Sequence, residues 1–424
     1  MTASKRVRRL TGPVDATVAV PGSKSIANRV LVCAALADGT SNLSNLPDGD
    51  DTEAMLSCLR ELGLDARLDD DRASIAGVGT SWQPGEHRLH AGLAGTTSRF
   101  ITALAALGAD PITVDGHPPL RRRPFGPLHD ALGQLGVGVS TPEGSGTLPA
   151  LINGPPSSGS AAIRGDVSSQ HVSALMLIGP YLPGGLDLSL TTPLVSRPYV
   201  ELTAATMAWF GVERVEIEDG SVRVAPGRYT PATIAIEPDA SSASYLLAIA
   251  AVSGGTVTVP GLGIGALQGD ARFADVLADM GCIVTRTGQD VTVIGDRRLE
   301  GVDLDMADIS DLVPTLAVVA AFGASPTRIT GVGFIREKES DRLGDLTREL
   351  RSAGVDIDET DDGLEIRPSS HRLRGARLGT HHDHRLAMAF AVLGSMVDGV
   401  DVEEPDVVSK SWPSFWSTLE DAFA

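Results

Sequence analysis

Apolar positions gather along this chain into six alanine-rich runs: RVLVCAALADG, FITALAALGAD, VSALMLIGP, YLLAIAAVSGG, PTLAVVAAFGA and RLAMAFAVLGS. Each is apolar nearly all round a helical wheel. A helix with no polar face predicts a buried element. A glycine and a β-rich stretch follow each run, and these glycines (Gly39, Gly108, Gly185, Gly255, Gly323 and Gly399) recur 68 to 77 residues apart. Next comes an amphipathic stretch such as PLHDALGQLG or DARFADVLADMG. It closes on Gly63, Gly136, Gly211, Gly281 or Gly354, a residue suited to a helix C-cap. An alternating stretch with a central turn, as in VERVEIEDGSVRVAP, then predicts a hairpin. Self-similarity at a near-constant period marks a repeat architecture. The unit reads strand, buried helix, strand, outer helix, two strands. The sixth copy stops inside its outer helix, SFWSTLEDAFA, and the N-terminal RRLTGPVDATVAVP is expected to stand in for its missing hairpin.

Polar motifs fall at one point of the unit, the start of the buried helix: SKSIANR, AGTTSRF, SSQHVSA, DASSASY, DISDLVP and HDHRLAM. Their markers Lys24, Gly95, Ser169, Ser242, Asp311 and Arg385 are 69 to 74 residues apart. A helix N-terminus offers unpaired N–H donors and about half a positive charge, so several of them turned toward one cleft would collect anions. Taken singly, Ser, Thr, Asp and Asn at a helix start are ordinary N-caps. Lys24 and Arg29 in SKSIANR exceed what a cap needs. The triplet Arg121, Arg122 and Arg123 reads alone as a solvated charge run, but an arginine directly before Pro124 is held extended, which suits a fixed guanidinium. IREKESDRLGD alone reads as an exposed, charge-laced helix. In HHDHRLAM the residues His381, His382, Asp383 and His384 are consecutive and share no helix face, which argues against a metal site.

Composition narrows the classes. With 424 residues and 42% hydrophobic content the chain can bury a large core. Its net charge of −19 disfavours nucleic acid or an anionic membrane as partner, so an anionic ligand has to be held by local basic clusters. Cys33, Cys58 and Cys282 are odd in number and lie in apolar surroundings, which suits buried thiols in a reducing compartment. No stretch approaches the about 20 apolar residues of a membrane span, and no signal-like apolar region follows the basic N-terminus. A cytoplasmic, monomeric enzyme is expected.

The motifs PGSKSIANR, GLAGTTSRF, RRRPFG, DVSSQHVSAL, SRPYVE, DISDLVPTLA, KESDRL, DHRLAMAF and SKSWPSF, in this order from about Pro21 to Trp416, resemble those of the 5-enolpyruvylshikimate-3-phosphate (EPSP) synthases. The resemblance implies an α/β (α+β) chain of two similar domains, each of three βαβαββ units with buried helices, an inverse barrel-like enolpyruvyl transferase fold. Residues 1–21 with 238–424 would form one domain and residues 22–237 the other. The reaction implied moves the enolpyruvyl group of phosphoenolpyruvate to the 5-hydroxyl of shikimate 3-phosphate and releases phosphate, with no metal or organic cofactor. Carried over motif by motif, Lys24, Gly95, Arg123, Gln170, Arg342, Arg385 and Lys410 would surround phosphoenolpyruvate. Lys24, Ser25, Arg29, Ser168, Ser169, Gln170, Ser196, Asp311 and Lys338 would hold shikimate 3-phosphate. Asp311 would take the hydroxyl proton, with Lys24 a competing base, and Glu339 would protonate the methylene carbon. Lys24, Arg29, Arg123, Lys338, Arg342, Arg385 and Lys410 would face about six negative charges of the two substrates.

Three positions depart from the family pattern. Leu93 and Phe100 stand where Asn and Pro are frequent around the AGTTSR motif, and Phe334 where an Asn often assists with the phosphate. The sister activity on UDP-N-acetylglucosamine uses a loop cysteine, and DGHPPLRRRPFG has none; a non-catalytic scaffold would not need Asp311 and Glu339. The resemblance also brings in the inhibitor glyphosate, and Gly95 groups the chain with sensitive members.

Overall fold

The computed structural model describes residues 3–296, 298–368 and 373–423, so the first two residues and the last lie outside it. Six helices carry the alanine-rich runs: α1 (Lys24–Leu36), α2 (Gly95–Ala105), α3 (Ser169–Ile178), α4 (Ala240–Ser253), α5 (Val313–Ala320) and α6 (His384–Met396). Every residue of α1 from Ile26 to Leu36 is buried, as is every residue of α4 except Val252. Alanine and glycine permit very close packing here. A β-carbon at Gly77, Gly154 or Gly295 would fall 2.2, 2.0 or 2.1 Å from the carbonyl oxygen of Ala34, Ala106 or Ala250, so each buried helix ends against the backbone of its own hairpin strand.

The chain divides into two compact units, Met1–Pro21 with Glu237–Ala424, and Gly22–Ile236. In each, three buried helices pack together inside small sheets. The third repeat shows the common plan. Strand Ser160–Ile163 runs parallel to Leu186–Leu190 with α3 between them in sequence, and the hairpin Val215–Ile217/Ser221–Val224 returns antiparallel along Leu186–Leu190. The outer helix Arg197–Trp209 precedes that hairpin. Leu186 and Leu188 are buried while Asp187 is exposed, the alternation of a sheet with one dry face. The fold class is thus mixed α/β, built from βαβαββ units.

Two sheets borrow strands from far along the chain. Thr233–Ala235 lies parallel to Asp38–Ser44 and so completes the first repeat from the end of its own unit. Asp15–Thr17 lies parallel to Thr256–Pro260 in the fourth. The expectation for RRLTGPVDATVAVP is corrected here: its strand belongs to the fourth sheet and replaces no hairpin. Among the described residues the sixth sheet has three strands, Arg377–Leu378 parallel to Asp401–Glu403, and Ser4–Arg6 antiparallel to the latter. The physical reason lies just before α4, where Ile236 donates its N–H to Ser44 of the first sheet. No upstream chain remains to open the fourth repeat, so Asp15–Thr17 does it. Among the described residues no helix is long and apolar enough to cross a membrane.

Candidate active site

In the unit Gly22–Ile236 most of the sequence-predicted residues sit at or near helix starts that the local chemistry fixes, and Arg123 lies in the loop before helix Gly126–Gln134. Ser23 caps α1 by accepting from Ile26 N–H at 3.4 Å. Lys24 Nζ lies 3.0 Å from Asp51 Oδ2, a carboxylate with only 3% of its side chain exposed, so the ammonium is aimed rather than floppy. Arg29, on the same helix, is buried. Its Nε donates to Thr203 Oγ1 at 2.8 Å, Nη1 to the Ser25 carbonyl at 2.7 Å, and Nη2 to the Tyr199 carbonyl and Ser173 Oγ at 3.0 and 3.3 Å. Its guanidinium also stands over the Phe100 ring at 5.3 Å. Burial lowers its pKa to about 10, still well above neutrality.

Gly95 and Arg123 meet closely: a β-carbon on Gly95 would lie 2.2 Å from Arg123 Nη1. Arg99 sets the loop that carries Arg123. It donates to the Gly95 carbonyl at 2.9 Å, to the Pro124 carbonyl at 3.2 Å and to His171 Nε2 at 3.1 Å, with its guanidinium 4.7 Å from the Phe125 ring. An imidazole that accepts from arginine has to be neutral, and burial, then Arg99, pushes the His171 pKa well down. Ser168 caps α3, accepting from Gln170 N–H at 3.3 Å; its hydroxyl proton can still donate outward. Ser169 is buried in the same turn and Gln170 is half-buried. Ser196 takes a left-handed φ of 54°, uncommon for a residue with a β-carbon, at the start of helix Arg197–Trp209. Val195 N–H bonded to the Gly165 carbonyl and Tyr199 N–H to the Ser196 carbonyl hold that turn. Strain of this kind concentrates where function requires a fixed group.

The unit formed by Met1–Pro21 and Glu237–Ala424 contains a denser array. Arg342, 1% exposed, donates from Nη1 to Asp311 Oδ1 at 2.8 Å, from Nη2 to Glu339 Oε2 at 2.8 Å, and from Nε to Asp383 Oδ2 at 2.7 Å. Arg385 Nη2 donates to Asp311 Oδ2 at 2.6 Å, and Lys410 Nζ to Glu339 Oε1 at 2.9 Å. Each of the two carboxylates thus lies between two cations. The KESDRL turn produces this because Asp341 folds back to accept from Leu343 and Gly344 N–H at 3.2 and 3.0 Å. Asp383 serves as N-cap of α6 and as anchor of Arg342 at once. Lys338 lies 5.8 Å over the Phe334 ring and adds its charge to those around Asp311.

The electrostatics follow from that crowding. Burial alone would raise the Asp311 pKa, but Arg385, Lys338 and Arg342 together hold it below the usual carboxylate range. Burial alone would lower that of Arg342, but Asp383, Glu339 and Asp311 drive it above the ordinary arginine value. Tyr245 of α4, pushed up to about 12 by burial, faces Arg385. The sequence alone assigns no role to Asp51, Arg99, His171 or Tyr245, and offers Asp383 only as a helix cap or a metal ligand. In the structure His381 pairs with Glu349 at 2.8 Å, His382 with Glu404 at 3.1 Å and Asp383 with Arg342, three different directions.

Residues 9–419 match the family model of EPSP synthase (3-phosphoshikimate 1-carboxyvinyltransferase). The chain belongs to the EPSP synthase family. Proteins named 3-phosphoshikimate 1-carboxyvinyltransferase are similar to it along nearly their whole length. One from Nostoc sp. is 40% identical over 412 residues, 96% of both chains, and one from Methanoculleus marisnigri is 41% identical over 96% of this chain and 97% of that one. Among solved structures, an EPSP synthase from Acinetobacter baumannii superposes with a TM-score of 0.82 at 25% identity, over 99% of this chain and 97% of the other. The enolpyruvyl transferase NikO from Streptomyces tendae, at 17% identity and a TM-score of 0.76 over 98% and 96%, shares the fold. As an EPSP synthase family member the chain is a 3-phosphoshikimate 1-carboxyvinyltransferase.

Proposed function

We propose that the chain carries out the family's transfer by protonation, addition and elimination, with Asp311 and Glu339 as the proton-handling groups. Glu339 delivers a proton to the methylene carbon of phosphoenolpyruvate, which makes its neighbouring carbon cationic. The 5-hydroxyl of shikimate 3-phosphate attacks that carbon while Asp311 takes the hydroxyl proton. The tetrahedral adduct then breaks its bond to the phosphate oxygen. The methyl group returns one proton to Glu339, and the proton on Asp311 leaves with phosphate. Every atom is accounted for by the two substrates and two carboxyls.

The observation that supports this most is the sharing of Arg342 by Asp311 and Glu339. Cations locked to carboxylates cannot collapse or wander, so Arg342, Arg385 and Lys410 are pre-aimed. On this reading the phosphate and carboxylate of phosphoenolpyruvate take those cations over, assisted by Lys24 and Arg123. Asp311 then loses the charges that hold its pKa down and becomes a usable base only when the substrate is bound. Shikimate 3-phosphate is assigned to Ser25, Arg29, Ser168, Ser169, Gln170, Ser196 and Lys338, whose hydroxyls and cations suit a phosphate and a carboxylate. Lys24 remains the second candidate for the base. The chain acts on this reading as a cytoplasmic monomer on small anions, which its net charge of −19 admits only through such local clusters.

The test is steady-state phosphate release from phosphoenolpyruvate with shikimate 3-phosphate or with UDP-N-acetylglucosamine as acceptor. Release with the first alone is expected. Release with the second alone would overturn the assignment.

A further inference from the structure

Asp270 has no part in the steps above, yet it is a buried carboxylate beside them. It lies on the short turn Gly269–Arg272, which packs against the turn Ala307–Leu312 that carries Asp311 and against the first turn of α4. Arg272 Nη2 lies 3.5 Å from Asp308 Oδ2 and fastens the two turns to each other. Ser241 Oγ donates to Asp270 Oδ2, and Ser244 Oγ in turn donates to the Ser241 carbonyl at 2.6 Å. Asp270 is 3% exposed and Ser241 7%.

Several charged groups face this carboxylate. Asp239 comes from the N-cap of α4, Asp311 from the neighbouring turn and Arg385 from α6, while the Ser241 hydroxyl donates to the carboxylate and Asp308 is taken by Arg272. Arg272 shares its own turn, and Asp275 of the following helix is taken by Arg286. Burial first, then the charge of Asp311, pushes the Asp270 pKa up to about 6, while Arg385 and the Ser241 hydroxyl oppose the rise. Near neutral pH Asp270 is therefore mostly an anion, held at a cost.

We propose that Asp270 is a positioning residue for the transfer, its carboxylate acting through Arg385 and Asp311 to keep Asp311 basic enough to take the acceptor's proton. The inference rests on the reading of Asp311 as the base. Arg342, Arg385 and Lys338 all disfavour protonation of Asp311. A second buried carboxylate, on the turn packed against the one that carries Asp311, is held by the field of the same Arg385 guanidinium and repels the charge of Asp311, and both effects favour the protonated form that the transfer has to pass through. When substrate anions take over the cations, Asp270 stays behind as a fixed negative charge on the same side.

The experiment compares the pH dependence of kcat in the native protein, Asp270→Asn, Ser241→Ala and Asp311→Asn, with melting temperatures recorded alongside. The bound complex reports through kcat, where Asp311 has been released from its cations. Asp270→Asn keeps an acceptor for Ser241 but removes the charge. Its acid limb should move to lower pH by about half a unit or more and kcat should fall roughly 3- to 10-fold, with KM for phosphoenolpyruvate not raised. Ser241→Ala removes a donor that favours the Asp270 anion, so it should move the limb the same way by less, and it serves if Asp270→Asn does not fold. A structural role alone would lower the melting temperature and leave the limb in place, and that result overturns the proposal. Should Asp311→Asn turn over like the native protein, the reading of Asp311 as base falls and this inference with it. An inactive Asp311→Asn beside unshifted Asp270→Asn and Ser241→Ala profiles refutes this inference alone.

Discussion

No methyl group fits between Gly95 and Arg123: a β-carbon on the first would sit 2.2 Å from Nη1 and 2.9 Å from Cζ of the second. The guanidinium is the mobile end of a side chain, so it can yield, but Arg123 is 9% exposed and its neighbour Pro124 is tied to Arg99. Gly95→Ala should therefore fold normally and displace Arg123. The loss of one charge-assisted hydrogen bond, about 1.5 kcal/mol, would raise KM for phosphoenolpyruvate roughly 10-fold with a smaller effect on kcat. Glyphosate competes for the same place in the family, and its inhibition constant should rise more than KM. Equal KM and equal inhibition in both proteins would mean that Arg123 does not hold this substrate.

A second expectation uses a residue that departs from the family pattern. Phe100 places its ring 5.3 Å from the Arg29 guanidinium, where a proline could offer no such face. Phe100→Leu removes that face and keeps the burial. With a cation–π contact worth about 1 kcal/mol, KM for shikimate 3-phosphate should increase roughly 5-fold while KM for phosphoenolpyruvate stays within a factor of about two. A change in the second KM alone would place Phe100 in a different role.

The buried acid Asp270 should also leave a mark on stability. Its folded pKa, about 6, is above the ordinary value of 3.8, so folding binds a proton between those pH values and stability declines as pH rises through that window. Asp270→Asn escapes that loss. Urea denaturation should find the variant more stable than the native protein at pH 8 by about 1–3 kcal/mol, with the advantage gone near pH 4. A variant less stable at pH 8 than at pH 4, relative to native, would contradict the sign.

Asp311 carries the opposite sign. Its folded pKa is depressed, so the stability it contributes is present above the unfolded value near 4 and is lost as pH falls below it. Asp311→Asn should therefore cost stability at pH 7, where Arg342 and Arg385 lose a partner, and cost less at pH 2. Urea midpoints at the two pH values check this, and an equal cost at both would show that the ion pairs contribute nothing.

The repeats were legible because each buried helix is apolar on every side and ends at a glycine, a local pattern that needs no knowledge of its neighbours. The strands that close the first and fourth sheets were not. Thr233–Ala235 and Asp15–Thr17 are three residues each, and their partners lie about 190 and 240 residues away. The same divide runs through the site. Lys24, Asp311 and Arg385 announce themselves at the starts of buried helices, whereas Glu339 is picked out only by the resemblance of KESDRL to the family motif. Asp51 and Asp270 look like acids of a helix start, and Asp383 like a cap or a metal ligand, because what makes each of them matter is a cation or carboxylate supplied by another element.

Turnover in deuterium oxide tests the central claim most directly. Protonation of the methylene carbon makes a methyl group that contains one solvent hydrogen, and elimination then keeps or loses it. The native protein should therefore release product with deuterium in its vinyl methylene, read by mass spectrometry. Glu339→Gln should lose at least about 100-fold in the rate of that incorporation. Product formed at the native rate with an unlabelled methylene would contradict the protonation–addition–elimination course, and native-rate labelling by Glu339→Gln would remove Glu339 from it.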